Sequence, residues 1–219
     1  SYSQNMIQIQ QFTFNAFSEN TFLLFDETKE CVIIDPGCYD KLEKEALKQF
    51  VGKNELKVVR IINTHCHIDH VLGNKFCQDT FKVPLGIPKG EVSTLKAIPS
   101  YSDVYGFRNY EASEPDELLE NEGEINFGNS TLKVLYVPGH SPGHLAFYAA
   151  KEKFCVSGDV LFQKSVGRTD LPGGDMDTLL KSIRNVMFKL PDDTAIHCGH
   201  GSSTTMGSEK KNNPFCAIK

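Results

Sequence analysis

Residues 63–73 read NTHCHIDHVLG, and four metal-capable side chains, His65, His67, Asp69 and His70, fall within six positions of one another. Groups this polar make a poor core and a good ligand set. Neutral imidazole nitrogen and carboxylate oxygen are the donors that zinc and other borderline divalent ions accept. The preceding run, LKVVRIINT (56–64), is apolar and β-branched and reads as a strand. The cluster therefore sits at a strand end, which holds side chains more rigidly than a loop tip. In an extended H-x-H the two imidazoles share a face and can converge on one ion, while Cys66 between them points away. The adjoining Asp69–His70 pair can feed a second ion if the chain turns.

Similar residues recur at later strand ends. His140 and His144 lie in PGHSPGH after STLKVLYV, Asp159 ends KFCVSGD (153–159), and His197 and His200 lie in HCGHG. All seven histidines of the 219-residue chain are accounted for in this way. Three protein ligands per ion with a shared carboxylate leave open coordination positions, the mark of catalytic rather than structural sites. Two ions ~3.5–4 Å apart can clamp both the attacking and the leaving atoms of a hydrolysis.

The remaining pattern alternates strands with amphipathic helices. NTFLLFD (20–26) and CVIIDPG (31–37) form a hairpin across ETKE, with VIID buried on both faces. YDKLEKEALKQFVG is a helix with Leu42, Ala46, Leu47 and Phe50 on one stripe and Gly52 as its C-cap. A short helix runs from His70 toward Gln78. The stretch from Lys89 to Glu122 reads as a helix followed by a surface excursion, a lid or a plain connection. HLAFYAA (144–150) is a further strand, MDTLLKSIRNVMFKL (176–190) is a helix carrying Leu179, Leu180, Ile183, Val186 and Met187, and MGSEKKNNPF is a short last helix ended by Pro214. A faint echo between the two β-rich halves is consistent with two facing sheets.

Hydrophobic residues at 40% and charged residues at 23% place the chain among ordinary globular proteins. A net charge of -5 without a basic stripe speaks against nucleic acid. No apolar run approaches the ~20 residues of a membrane helix. Seven scattered cysteines, odd in number and without C-x-x-C, suit reduced thiols in a cytoplasmic protein better than a disulfide framework. Met6 is read as the native start, with Ser1–Asn5 appended for expression. One domain is expected over residues 1–219.

The ordered motifs T-H-x-H-x-D-H-x-x-G, G-H-S-P-G-H, G-D and G-H-G resemble those of the metallo-β-lactamase-fold hydrolases, most closely short, single-domain glyoxalase II-like (hydroxyacylglutathione hydrolase-like) proteins. The resemblance runs from the 20–37 hairpin to GHGSSTTMGSEKKNNPF. It implies an α+β, four-layer αβ/βα sandwich. It further implies two divalent ions, zinc or else iron or manganese: His65, His67 and His140 on the first, Asp69, His70 and His200 on the second, and Asp159 bridging. The implied reaction is thioester hydrolysis, as of a 2-hydroxyacyl-thiol, by metal-activated water, with Asp69 and Asp159 as the catalytic carboxylates. Arg168, in GRTD, stands where relatives carry a cation near the substrate carboxylate. Asp35, Asn63 and Thr64 are placed to orient ligands from behind. His144 and His197 are surplus to the ligand set, and Cys66 and Cys198 are read as structural.

Two departures bear on the substrate. The helical C-terminal extension that serves glutathione recognition is not expected here, and GSS (201–203) replaces a tyrosine that often follows the last ligand histidine. Competing activities on the same fold are a mononuclear iron persulfide dioxygenase, a lactonase and a β-lactamase. A non-catalytic metal-binding module is the alternative of a different class. The expected partner is a small-molecule thioester, with neither nucleic acid nor membrane.

Overall fold

The structure, a computed structural model, describes residues 5–218. The reading of Ser1–Asn5 as appended falls outside these except at Asn5. The described residues form two compact units, the first made of residues 5–119 and 126–130, the second of residues 120–125 and 131–218.

The first unit is built on a six-stranded sheet. Its strands are β1 (Gln8–Phe14), β2 (Glu19–Phe25), β3 (Glu30–Ile34), β4 (Lys57–Ile62), β5 (Leu85–Pro88) and β6 (Glu117–Leu119), in that spatial order. β1, β2 and β3 are antiparallel neighbours; β3 to β6 run parallel. The parallel half is strongly apolar, with Val32, Ile33, Ile34, Ile61 and Ile62 all buried, as parallel strands covered on both faces require. Helix α1 (Lys41–Lys53) starts at a capping box between Asp40 and Glu43. Glu43 also accepts from the Asn15 main-chain N–H at 2.6 Å, which ties the β1–β2 turn to the helix start.

Two details of α1 differ from expectation. Only Leu47 and Val51 are buried, whereas Leu42 is 81% exposed and Ala46 is exposed. Leu47 and Val51 are four apart and share a face, but Leu42 lies about 140° around the wheel from Leu47. Gly52 stays within the helix, and Asn54 caps it by donating from Nδ2 to the Phe50 carbonyl at 2.9 Å. Helices α2 (Asn74–Phe81) and α3 (Val92–Ala97) follow β4 and β5, contributing Cys77 and Leu95 to the same core as Leu47. The acidic stretch read as surface excursion contains β6, which adds an edge to the sheet beside β5.

A second six-stranded sheet contains β7 (Glu124–Phe127), β8 (Ser130–Tyr136), β9 (Leu145–Ala149) and β10 (Phe154–Gly158). A small hairpin of β11 (Leu161–Phe162) and β12 (Ser165–Val166) comes next. After α4 (Met176–Asn185), β13 (Ala195–Cys198), β14 (Thr204–Thr205) and α5 (Met206–Asn212) complete the chain. The sheet order is β14-β13-β10-β9-β8-β7. Leu179, Ile183 and Met187 pack with Cys155, Ile196 and Met206 in its core. Asp175 caps α4 by accepting from the Thr178 N–H at 2.9 Å. Among the described residues no helix is long and apolar enough to cross a membrane.

Candidate metal centre

In the first unit the donors follow β4 directly. His67 has an extended backbone (φ -68, ψ 149), and a 3-10 turn over Ile68–His70 then carries Asp69 and His70. The chain is therefore extended at His67 and turns at Asp69–His70. The His65 and His67 rings lie 4.8 Å apart between centroids and those of His65 and His70 4.2 Å.

One buried carboxylate orients two of these rings. Asp35 follows β3 in a left-handed conformation (φ 53) and is 2% exposed. Its Oδ2 accepts from His70 Nδ1 at 2.9 Å and from the Thr64 hydroxyl at 2.6 Å, and its Oδ1 accepts from the Thr64 N–H at 2.7 Å. The Thr64 hydroxyl spends its single proton on Asp35, so it can only accept from His65 Nδ1, 2.9 Å away. Both histidines thus carry the proton on Nδ1 and the lone pair on Nε2, a tautomer assigned from the hydrogen-bond logic. Asp35, His65 and His70 lie close enough to share an ion. The bonds instead make Asp35 the supporting carboxylate behind two imidazoles. Burial raises the Asp35 carboxyl above its ordinary range, while the bonds from His70 and Thr64 pull it down.

Other side chains fix the loop itself. The Asn15 amide donates to the main-chain carbonyls of Gly37 and Asp69, both at 3.0 Å. Glu91, fully buried, accepts from the Cys66 N–H at 2.9 Å. Asn63 and Asn74 exchange a reciprocal amide pair at 3.1 and 2.9 Å. The Cys66 thiol is buried in the first unit's apolar core, and burial pushes its pKa well above the ordinary thiol value. It is neither a nucleophile nor a thiolate in this setting.

In the second unit the donors come from three strand ends. His140 Nδ1 donates to the main-chain carbonyl of Arg168 at 2.7 Å, which leaves its lone pair on Nε2, 3.5 Å from Asp159 Oδ2. His200 Nε2 lies 3.4 Å from the same oxygen. Asp159 is held from behind, since its main-chain N–H donates to His144 Nε2 at 3.2 Å. That bond consumes the His144 lone pair, so this buried ring supports Asp159 rather than ligating. His197 bonds Ser203 Oγ through Nδ1 at 2.8 Å and packs edge-on against Phe154. Burial lowers its pKa. Gly167 passes so close behind that a Cβ would stand 1.8 Å from the Asp159 carbonyl oxygen and 3.0 Å from His140 Nδ1. Cys198 is buried, and its pKa is raised to about 12 by burial.

Arg168 takes part through its backbone. Its guanidinium is exposed and grips Asp170 with two bonds of 2.6 and 2.9 Å. Those bonds hold the Asp170 carboxyl down at about 2.

The sequence profile of the Metallo-beta-lactamase superfamily matches residues 15–200. The chain belongs to that superfamily. It has the metallo-β-lactamase fold, an α+β sandwich of mixed sheets and helices. It is 38% identical over 206 residues to "Hydroxyacylglutathione hydrolase GloC" of Haemophilus influenzae, covering 93% of this chain and 95% of that protein. The crystal structure of BLEG-1 B3 metallo-beta-lactamase superposes with a TM-score of 0.87 at 39% identity, covering 95% of this chain and 99% of that one. TTHA1623 in a di-iron-bound form superposes with a TM-score of 0.84 at 34% identity, covering 94% and 99%.

For this metallo-β-lactamase superfamily member, sequence reasoning missed three supporting groups: Glu91, Asn15 and the Arg168 carbonyl. The two side chains act on main-chain groups of the donor loop, and the carbonyl belongs to a residue singled out for its side chain. Only Gly167 carried a signal, as a glycine directly before GRTD's arginine.

Proposed function

We propose that the chain is a binuclear metal-dependent hydrolase of thioesters such as S-2-hydroxyacylglutathione. The reading assigns His65, His67 and His140 to one ion, Asp69, His70 and His200 to the other, and Asp159 to both. The observation that carries it is the fixing of three Nδ1 atoms, on His65, His70 and His140, by Thr64, Asp35 and the Arg168 carbonyl. Each leaves a neutral imidazole with Nε2 available as a donor, the state a divalent ion requires. The choice of thioester is supported by the similarity to the Haemophilus hydrolase.

Bound divalent ions supply Lewis acidity, which brings the pKa of water toward neutrality and polarises an acyl carbonyl. The side chains do the positioning. Asp69 accepts a hydrogen bond from the attacking water and orients it toward the acyl carbon. Asp159, held by His144, keeps His140 and His200 in register. No side-chain nucleophile takes part, in keeping with the buried Cys66 thiol. The seven buried free cysteines are in keeping with a reducing, cytoplasmic site of action.

The test pairs metal analysis of protein purified without chelator with an S-lactoylglutathione hydrolysis assay. Two divalent ions per chain and turnover abolished by chelation are expected. Metal-free protein, or loaded protein inert toward thioesters, sinks the reading. The likeness to BLEG-1 favours a second reading, β-lactam hydrolysis. Turnover of a chromogenic cephalosporin without thioester hydrolysis would select it.

A further inference from the structure

Glu19, the first residue of β2, is a carboxyl with no exposed surface, and it lies outside the proposed ligand set. Its Oε2 lies 2.8 Å from the Thr21 hydroxyl, and its Oε1 3.6 Å from His70 Nδ1. The Thr21 hydroxyl also lies 2.8 Å from the Asp35 carbonyl oxygen and accepts from the Gly37 N–H at 2.9 Å. Thr21 thereby grips the Asp35–Gly37 turn at both ends, and Glu19 grips Thr21.

The space agrees with this arrangement. A Cβ at Gly37 would stand 2.1 Å from Glu19 Oε2, 2.7 Å from the Asp69 carbonyl oxygen and 2.9 Å from Asn15 Nδ2. Glu19 therefore fills the place that Gly37 leaves, pressed against the turn. A hydroxyl has one proton. Thr21 shares that proton between Glu19 Oε2 and the Asp35 carbonyl, both 2.8 Å away, and so links Glu19 to the turn through a contact that a carboxamide oxygen can also accept.

We propose that Glu19 is a positioning residue of the metal centre: through Thr21 it sets the Asp35–Gly37 turn, and through Asp35 the ring orientation of His70 and, by way of Thr64, of His65. The inference rests on the proposed binuclear reading for its purpose, but its geometry lies wholly within the first unit. It distinguishes hydrogen bonding from charge. If Glu19 acted as an extra anion attracting the ions, a neutral side chain of the same shape would fail. If it acts through Thr21, a carboxamide suffices.

The experiment compares wild type with Glu19→Gln, Glu19→Leu, Thr21→Ser and Thr21→Val. Two signals are read: the histidine Nδ1–H resonances by nitrogen NMR, in protein as purified and after chelation, and zinc affinity by competition with a chelating dye. Glu19→Gln and Thr21→Ser are expected to keep slowly exchanging Nδ1–H signals from His65 and His70 and to bind zinc as wild type does. Glu19→Leu and Thr21→Val are expected to lose the protection of both signals and to bind zinc roughly 10–100-fold more weakly. Should Glu19→Leu not fold, Thr21→Val carries the test alone. Protected signals in Thr21→Val, or lost signals in Glu19→Gln, overturn the proposal. Because the NMR signals are also read after chelation, failure of the wild type to bind metal would defeat the binuclear reading while leaving this result to be judged separately.

Discussion

The donors of the first unit and those of the second are oriented by different means. Behind His65 and His70 stands a side-chain network in which Asp35 is the common acceptor and Thr64 the relay. Behind His140 and Asp159 stand a main-chain carbonyl, a main-chain N–H and an imidazole. The first arrangement buries a carboxylate, which burial disfavours and hydrogen bonds must sustain. The second costs no buried charge for orientation, but it depends on the backbone following one path. A side-chain substitution can dismantle the first network, whereas the second yields chiefly to changes that move the chain.

The largest effect is expected from Gly167→Ala. The added methyl would collide with the Asp159 carbonyl oxygen, so the backbone must shift. Overpacking of this kind costs ~1–3 kcal/mol, and here it should also displace the Arg168 carbonyl from His140. Chemical denaturation together with metal stoichiometry checks this, and a variant that keeps wild-type stability and full loading would break the comparison. Asp35→Ala comes next, with zinc affinity expected to fall roughly 10–100-fold. Unchanged affinity would show that His65 and His70 need no shared acceptor.

Asp26 gives a control of similar chemistry away from the donors. Its carboxylate accepts from Ser130 Oγ, Thr28 Oγ1 and the Asn129 and Thr28 N–H groups. Burial raises its pKa, but the bonds from Ser130, Thr28 and Asn129 together outweigh it and leave the carboxyl below its ordinary value. Asp26→Ala should destabilise by about 2 kcal/mol near neutrality and leave metal affinity unchanged. With a depressed folded pKa, the ionised carboxylate's contribution is present above its unfolded value of ~3.9 and fades as pH falls through the lower folded value. Urea titrations from pH 7 down to pH 3 should therefore show the wild-type advantage shrinking; a pH-independent difference would contradict the assignment.

The smallest effect is expected from Arg168→Ala. The His140 bond goes to a main-chain carbonyl that alanine retains, and the guanidinium is exposed on Asp170. Metal loading should stay at wild-type level while the Asp170 carboxyl rises from about 2 toward the usual carboxylate range, as NMR titration of the aspartate would show. Loss of metal would mean that the side chain, and not only its carbonyl, orients the donors.

Much of this was legible in the sequence wherever chemistry and periodicity coincided. The β2–β3 hairpin, β4 and α4 follow from apolar runs and spacing, and the histidines drew attention by falling together at strand ends. Asp35 and Thr64 could be named as supports because they flank the buried strands. Three of the missed strands have a composition that conceals them. β1, QIQQFTF, is glutamine-rich at a sheet edge; β5, LGIP, is four residues long and includes glycine and proline; β6 lies in an acidic segment, where an edge strand tolerates charge. Glu19 and Glu91 escaped notice because a glutamate in a sequence reads as surface, and only packing reveals that these two have none.

All seven cysteines are buried and free, and each is therefore a built-in reporter of opening. A thiol-directed reagent reaches such a group only in molecules that have transiently come apart around it. Cys66 sits between two proposed donors, with its main-chain N–H held by Glu91, whereas Cys155 lies in the core of the second unit. Residue-resolved trapping kinetics at these two sulfurs would separate local breathing of the histidine loop from global unfolding, and the change in the Cys66 rate on adding zinc would measure how firmly a bound ion clasps that loop shut.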